Sequence, residues 1–155
     1  IFTFRELVTG RGFLAGLTVR GRALIVKEDD GLWWLYGVQP GGMAECGQTP
    51  DEAYHGFHAA FEKVLIDLSH ESGTYGEFEA TLSRFVSETD GEDAARWEEA
   101  REAIRAGRMV PESPFSALPR ITDVSSSTLV VKQLDQTISR LSPKDNVEVE
   151  YARAA

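Results

Sequence analysis

The sequence has very little of what covalent cross-links and membrane segments require. Cys46 is its only cysteine among 155 residues. A single cysteine excludes an intramolecular disulfide and every metal module built on several cysteines, and it fits a reducing compartment. The apolar runs are short, as in 32–36, far below the roughly 20 residues that cross a bilayer, and no cationic leader followed by an apolar segment opens the chain. We therefore expect a cytoplasmic protein with no membrane association.

Basic residues are also scarce, with 16 Lys and Arg against 25 Asp and Glu and a formal net charge of −9. Such a chain repels a phosphate backbone, since nucleic-acid affinity comes mainly from basic groups that displace counterions. Direct nucleic-acid binding is therefore not expected. Much of the excess lies between 71 and 104, where ten acids face three arginines. An acidic surface suits a small basic protein as partner, because complementary fields steer association.

The hydrophobic content of 42% over 155 residues is enough to bury one core, so we expect a single domain over 1–155. Residues 17–27 are rich in strand formers, and Gly21 is a position for a bulge. The turn Asp29-Asp30-Gly31 leads directly into an apolar stretch at 32–38. Because Asp-Gly supports the positive φ of tight turns, this order predicts a β-hairpin.

A strong helix signal follows the hairpin. Pro40-Gly41-Gly42 ends the second strand, and 43–46 is long enough only for a short third strand. Thr49 then precedes a proline and two acids, with Glu52 at the capping-box spacing. Apolar residues at helical spacing predict an amphipathic helix from about Pro50 to Ser69 that packs on the hairpin.

The rest of the chain predicts two acidic helices and further strands. A helical extension covers about 75–106. It consists of a first helix that ends near Glu88 and a second helix that runs over 92–106. A connecting loop at 108–127 leads to a C-terminal strand segment at about 128–151, with strands near its two ends and a short helix from Leu134 to Leu141. The expected class is α/β (α+β): a β-hairpin-led antiparallel sheet packed by the main helix, with extra acidic helices and C-terminal strands that complete the sheet or an oligomer.

The stretch 42–53, which reads GMAECGQTPDEA, comes just after a Trp-rich strand and Pro40. It resembles the core signature of the HicB-like antitoxin family, in which a strand ending in proline leads to a glycine, a second glycine five residues on, a threonine and a Glu-Ala pair that opens the main helix. The matching residues are Gly42, Gly47, Thr49, Glu52 and Ala53. Together with the hairpin and the helix around them, the resemblance covers about 17–72, which we define as the HicB-like core.

The resemblance implies a protein-binding module without catalytic residues or cofactors. HicB-like domains of toxin–antitoxin systems bind a small basic HicA-like ribonuclease toxin and cover its active site. They also commonly form homo-oligomers, which we expect here. Many end in a DNA-binding helix-turn-helix or ribbon-helix-helix module, whereas the tail 129–151 predicts strand, short helix and strand. A stand-alone oligomeric HicB-like protein without a toxin partner is therefore the alternative.

Two groups of residues are candidates for a site. Trp33 and Trp34 are adjacent on one strand, so their side chains point to opposite faces, and one of them needs cover outside the main core. That cover would be the C-terminal strand segment or a second subunit, which makes Trp33, Trp34 and Tyr36 candidate interface residues.

The second group lies on the main helix. His55, His58 and Glu62 are spaced by three and four residues, so a metal-dependent small-molecule binder is a competing hypothesis. The expected arrangement is instead an exposed polar helix face with no metal, because the chain offers no convincing fourth ligand.

Overall fold

The structure, a computed structural model, describes residues 1–111 and 128–134. In these ranges it has five strands and three helices. Their bounds are β1 Phe2–Gly10, β2 Phe13–Lys27, β3 Trp33–Gln39, β4 Ala44–Gly47, α1 Pro50–Glu71, α2 Tyr75–Ser87, α3 Gly91–Arg105 and β5 Thr128–Leu134. The antiparallel sheet with added helices confirms the predicted α+β class.

Strand β2 is the centre of the sheet. Its residues 13–21 pair with β1, and residues 14–20 pair on the opposite edge with β5. Its last part, residues 22–27, pairs with β3, which in turn pairs with β4. All four pairings are antiparallel, so one long strand connects a three-stranded half to the predicted hairpin.

The bulge expected at Gly21 lies one residue later. The register of β2 against β3 shifts between Arg22 and Ala23, so that Val38 is the extra residue on β3. Gly21 has a different role: a Cβ at this position would lie 2.5 Å from both the Gln39 carbonyl oxygen and the Phe2 ring. Glycine is needed there because backbone and ring approach too closely for any side chain.

Strand β1 and the first residues of β2 were not predicted. They form a second hairpin whose tight turn uses Gly12 at φ +78°. Phe4 and Val8 of β1 point into the core, whereas Arg5 and Leu7 are exposed on the other side. The sheet is therefore larger than the HicB-like core, whose predicted hairpin is its β2–β3 part.

Each helix begins at a side-chain cap. The Thr49 hydroxyl accepts a hydrogen bond from the Glu52 amide at 3.2 Å, and the Glu52 carboxylate accepts one from the Gln48 amide at 2.8 Å. This is the predicted capping box. Thr74 caps α2 in the same way, and Asp90 caps α3. None of the helices in the described ranges is both long and apolar enough to span a membrane.

The sheet has two faces with different partners. We call the face formed by the odd-numbered residues of β2 the inner face, and α1 and α2 pack on it. The even-numbered residues form the outer face, where α3 covers the part made by β2 and β3. The largest core cluster is on the inner face and contains Phe4, Val8, Phe13, Ala15, Leu17, Val19, Phe61, Leu65, Phe78, Leu82 and Val86.

Several predictions for the C-terminal third fall beyond the described ranges. The expected strand near 128–131 is present as part of β5. The short helix from Leu134 to Leu141, the final strand at 147–151 and the loop from 112 to 127 lie outside the residues that the structure describes.

Candidate protein-binding surface

The residues of the HicB-like signature have structural roles at the start of α1. Gly42 has φ +73°, a conformation that favours glycine. A Cβ on Gly47 would lie 2.5 Å from the Glu52 Cβ and 2.6 Å from the Ala53 nitrogen, so the end of β4 touches the first turn of α1. Ala53 is fully buried among inner-face residues. These residues fix how the helix meets the sheet and carry no chemistry of their own.

The candidate aromatic residues divide between the two faces, as their alternation predicts. Trp33 packs on the inner face with Leu35 and the α1 side chains there. The rings of Trp34 and Tyr36 stack on the outer face, with centroids 5.8 Å apart and planes 12° apart. The Trp34 indole donates a hydrogen bond to Asp30 at 3.1 Å. The two outer rings are therefore held at the hairpin by local contacts.

Helix α3 lies over the Tyr36 ring, so part of this outer surface is covered from within the chain, by an element that the sequence pattern did not indicate. Arg96 lies 5.0 Å from the centroid of the Tyr36 ring, and its guanidinium donates to Glu28 at 2.9 Å. The Tyr36 hydroxyl donates to the same carboxylate at 3.2 Å. Desolvation, followed by the Glu28 charge, raises the pKa of Tyr36, and the hydrogen bond to Glu28 raises the pKa of Arg96. An arginine of the acidic extension thus contacts Tyr36, and the interface through Trp33, Trp34 and Tyr36 stays a prediction.

Trp97 is the main apolar anchor of α3, and the local sequence does not indicate which residues it packs on. It packs on Leu24 and Val38 of the outer face. The guanidinium carbons of Arg22 and Arg101 each lie 5.2 Å from the centre of its ring. The Nε atoms of both arginines are buried without a hydrogen-bond partner, as expected for guanidinium groups that pack flat on an aromatic surface.

The proposed metal ligands are not brought together. The His58 ring packs against Phe4 of β1 at 4.4 Å between centroids, and His55 lies beside Tyr54 at 5.7 Å. Across 1–111 and 128–134, no group of three or more His, Cys, Asp and Glu side chains could hold a metal ion. In these ranges His55, His58 and Glu62 form no such group, and the His58 ring packs against Phe4 of β1 and lies 6.3 Å from the Tyr54 ring of its own helix.

Charge separates the helices from the sheet. The segment 50–105, which spans α1 to α3, has 14 acidic and five basic residues and so carries the whole formal net charge of −9. Residues 1–27, which form β1 and β2, have five basic residues and one acid. We use the name acidic helical layer for the exposed sides of the three helices, of which α1 and α2 lie over the inner face of the sheet and α3 over the outer face. It is the surface that best fits a basic partner, since opposite fields speed encounter and favour the complex.

Comparison with known proteins gives no match: no family model, no curated protein and no solved structure is significantly similar to this chain.

Proposed function

We propose that this chain is a cytoplasmic, HicB-like protein-binding module that neutralises a small basic protein, as an antitoxin neutralises a HicA-like ribonuclease toxin. Binding covers the partner's surface and requires no reaction on this chain. The contact surface is the outer-face part of the acidic helical layer, formed by the exposed carboxylates of α3.

The observation that most supports this proposal is the local geometry of the signature residues within 42–53. Strands β2 and β3 form the hairpin, β4 is short, and α1 starts at Thr49 with its capping box. The two glycines of the signature stand where a positive φ or a close approach excludes a side chain. Each of these signature residues thus has the structural role that its type favours. This supports the resemblance to HicB-like proteins, whose known role is to bind another protein.

The charge distribution supports the kind of partner. Exposed carboxylates such as Glu99 and Glu102 of α3 face solvent, while the arginines Arg96 and Arg101 of the same helix are engaged in ion pairs and ring contacts within the chain. The outward field of the layer is therefore negative, which suits a cationic ribonuclease and repels its RNA substrate.

The test is affinity capture of cellular proteins on the purified chain at low salt, followed by reconstitution with the captured protein. We expect one small basic protein in near-equal amount, released as salt rises to about 1 M because screening weakens the attraction. Its ribonuclease activity should fall as the chain is titrated in. A captured protein whose activity is unaffected by the chain would exclude the antitoxin role.

A pair of charge variants tests the surface. Glu99→Lys with Glu102→Lys should weaken binding by at least about tenfold, since rim charges mainly set the association rate. As a control matched one for one, Asp29→Lys on the exposed hairpin turn makes the same change in net charge as Glu99→Lys alone, and it should keep binding within about threefold because it lies outside the three helices. Equal losses in both variants would exclude the helical layer as the contact.

Molar-mass measurement separates the stand-alone alternative. A homo-oligomer that captures no basic protein from the cell would support a HicB-like protein without a toxin partner. Protein that binds a basic partner in defined stoichiometry supports the module proposed here.

A further inference from the structure

The outer face has a second part that the described residues leave uncovered. It is formed by β1, β2 and β5, next to the part that α3 covers, and we call it the open half. Its residues are Thr3, Arg5, Leu7, Thr9, Leu14, Gly16, Thr18, Arg20, Thr128, Val130, Lys132 and Leu134. Their shared orientation follows from the antiparallel register, in which directly paired residues point to the same face.

The open half combines apolar side chains with cations. Leu7 is 62% exposed and Val130 is 49% exposed, although both are in regular strands. Arg5, Arg20 and Lys132 are the charged residues among its twelve, and none of the twelve is a carboxylate. This is the reverse of the whole chain, whose net charge is −9. An apolar surface bordered by one sign of charge is typical of a protein interface whose partner has the opposite charge.

The middle of the open half is a groove. Gly16 has no side chain, and a Cβ there would lie 3.5 Å from Leu7 and 3.6 Å from Leu134. The Leu7 and Leu134 side chains thus lie at ordinary contact distance on either side of the Gly16 backbone, and the groove is the shallow apolar surface between them, on which an apolar side chain can pack. Three strands about 4.8 Å apart give a width of about 10 Å, the diameter of one helix.

The neighbouring half shows what kind of element fits this face. Helix α3 is acidic, and its narrow apolar stripe consists of Trp97 with Ala94 and Ala100 beside it. It inserts Trp97 against the outer face next to the guanidinium of Arg22. The open half repeats this chemistry, with the leucines around Gly16 for the apolar anchor and with Arg5 and Lys132 for the carboxylates. A face-to-face second copy would oppose cations to cations, which is unfavourable.

We propose that the open half is a docking surface for an acidic amphipathic helix of a partner protein, seated beside α3 on the same sheet face. This site is separate from the acidic helical layer, so its test is independent of the antitoxin proposal. The apolar anchor of the partner helix enters the groove at Gly16, and its carboxylates pair with Arg5 and Lys132.

The probe is a fluorescein-labelled synthetic peptide with the sequence of residues 89–106, which is the acidic amphipathic helix at hand. Its binding to the full chain is measured by anisotropy at low salt, and the site is mapped by amide chemical shifts. We expect saturable binding with shifts at Leu7, Gly16 and Val130. A control peptide with lysine in place of the glutamates should bind at least about tenfold more weakly, because it opposes cations to cations.

Variants locate the contact. Arg5→Glu with Lys132→Glu should raise the Kd by at least about tenfold, while Lys63→Glu with Arg84→Glu, the same charge change on exposed helix positions, should change it by less than about threefold. Gly16→Leu is a second variant that keeps every charge. The space at Gly16 accepts a Cβ at ordinary contact distance, so the variant should fold, fill the groove and weaken peptide binding.

Five results would overturn the proposal. The first is an absence of peptide binding at millimolar concentration, and the second is an equal loss of binding in both charge-variant pairs. The third is chemical-shift changes at Leu24 and Val38, which would mean that the peptide exchanges with α3. The fourth is tighter binding of a single-stranded DNA oligonucleotide with the same variant losses, since the site would then be for nucleic acid. The fifth is a dimer of the chain that Arg5→Glu with Lys132→Glu dissociates, since the occupant would then be a second copy.

Discussion

The two faces of the sheet are covered by helices in different ways. On the inner face, α1 and α2 bury a continuous cluster of apolar side chains, including Phe61 and Phe78, neither of which is exposed. On the outer face, α3 buries one large residue, Trp97, with the small Ala94 and Ala100 beside it, and arginines pack on the aromatic rings of this contact. The inner layer thus depends on apolar area removed from water, and the outer layer on guanidinium groups at aromatic rings.

This difference teaches which part of the molecule can separate from the rest. Local opening requires least energy where few apolar contacts are lost and where the remaining contacts can be replaced by water. The helix α3 meets this description, and α1 does not. The following four predictions test that contrast.

The largest effect is expected on the inner face. Phe61→Ala should lower the free energy of unfolding by about 3 to 5 kcal/mol, because a fully buried ring leaves a cavity that the core cannot fill. The Phe61 ring lies against Phe2, Phe4, Phe57 and Phe85, which fixes its surroundings. Urea denaturation followed by circular dichroism measures the change.

The exposed position Lys63 on the same helix is the control, and Lys63→Ala should change stability by about 0.5 kcal/mol or less. A loss below about 1 kcal/mol for Phe61→Ala would contradict the core assignment.

A smaller and local effect is expected under α3. Trp97→Ala should cost about 2 kcal/mol, within the usual range for single substitutions. Hydrogen exchange should then show that amides of α3 lose protection while those of α1 keep it, because the removed ring is the main apolar anchor of α3 alone. Glu99→Ala, an exposed change on the same helix, is the control. Equal loss of protection in α1 would show that both faces open together.

The ion pair between Glu28 and Arg96 should contribute less to the free energy of unfolding than the Trp97 ring does. Both side chains are about one-third exposed, at 36% each, so a double-mutant cycle with Glu28→Gln and Arg96→Met should give a coupling of about 0.5 to 1 kcal/mol. The coupling should fall as salt rises from about 0.1 to 1 M. The pair Glu98 and Arg101, three residues apart within α3, provides a comparison cycle that does not join the helix to the sheet. A coupling that is independent of salt would contradict the electrostatic account.

The smallest effect is a pH dependence at Asp93. Desolvation, and then the nearby Asp90 charge, raise the pKa of Asp93 despite the opposing Arg96. A raised pKa in the folded state means that this carboxyl stabilises the fold below its unfolded pKa and that the stabilisation is lost as pH rises through the folded value. Asp93→Asn cannot ionise, so in thermal denaturation the variant should gain stability relative to the natural chain as pH rises through the folded pKa of Asp93. The gain should be smaller in a Trp97→Ala background, where α3 has lost its anchor; an opposite pH trend would contradict the stated cause.

Local signals were sufficient for much of the HicB-like core. Thr49, Pro50 and Glu52 placed the start of α1 correctly, since capping depends on residues within one turn. The hairpin and the opposite orientations of Trp33 and Trp34 also followed from turn chemistry and alternation. For the candidate site, the sequence indicated an acidic surface, and the structure added that the segment 50–105, which spans the three helices, carries all of the net charge.

Strand β1 shows where local pattern fails. Its inward positions include the charged Glu6, and its outward positions include Leu7, so the expected alternation of apolar and polar residues is reversed at the middle of the strand. The position of the His58 ring is likewise not predictable locally, because it packs against Phe4, which is far away in sequence. Neither the pairing of β1 with β2 nor the contact between His58 and Phe4 can be recognised in a short window of sequence.

By itself, the sequence determined where α1 and the β2–β3 hairpin begin and turn, because those choices depend on hydrogen bonds and backbone conformations within a few residues. Only the tertiary structure decided what covers each face of the sheet. The contact between Arg96 and Glu28 joins residues 68 positions apart, and the groove at Gly16 needs Leu7 from one strand and Leu134 from another. Such contacts form only when the paired strands bring distant residues to one face, which no local periodicity encodes.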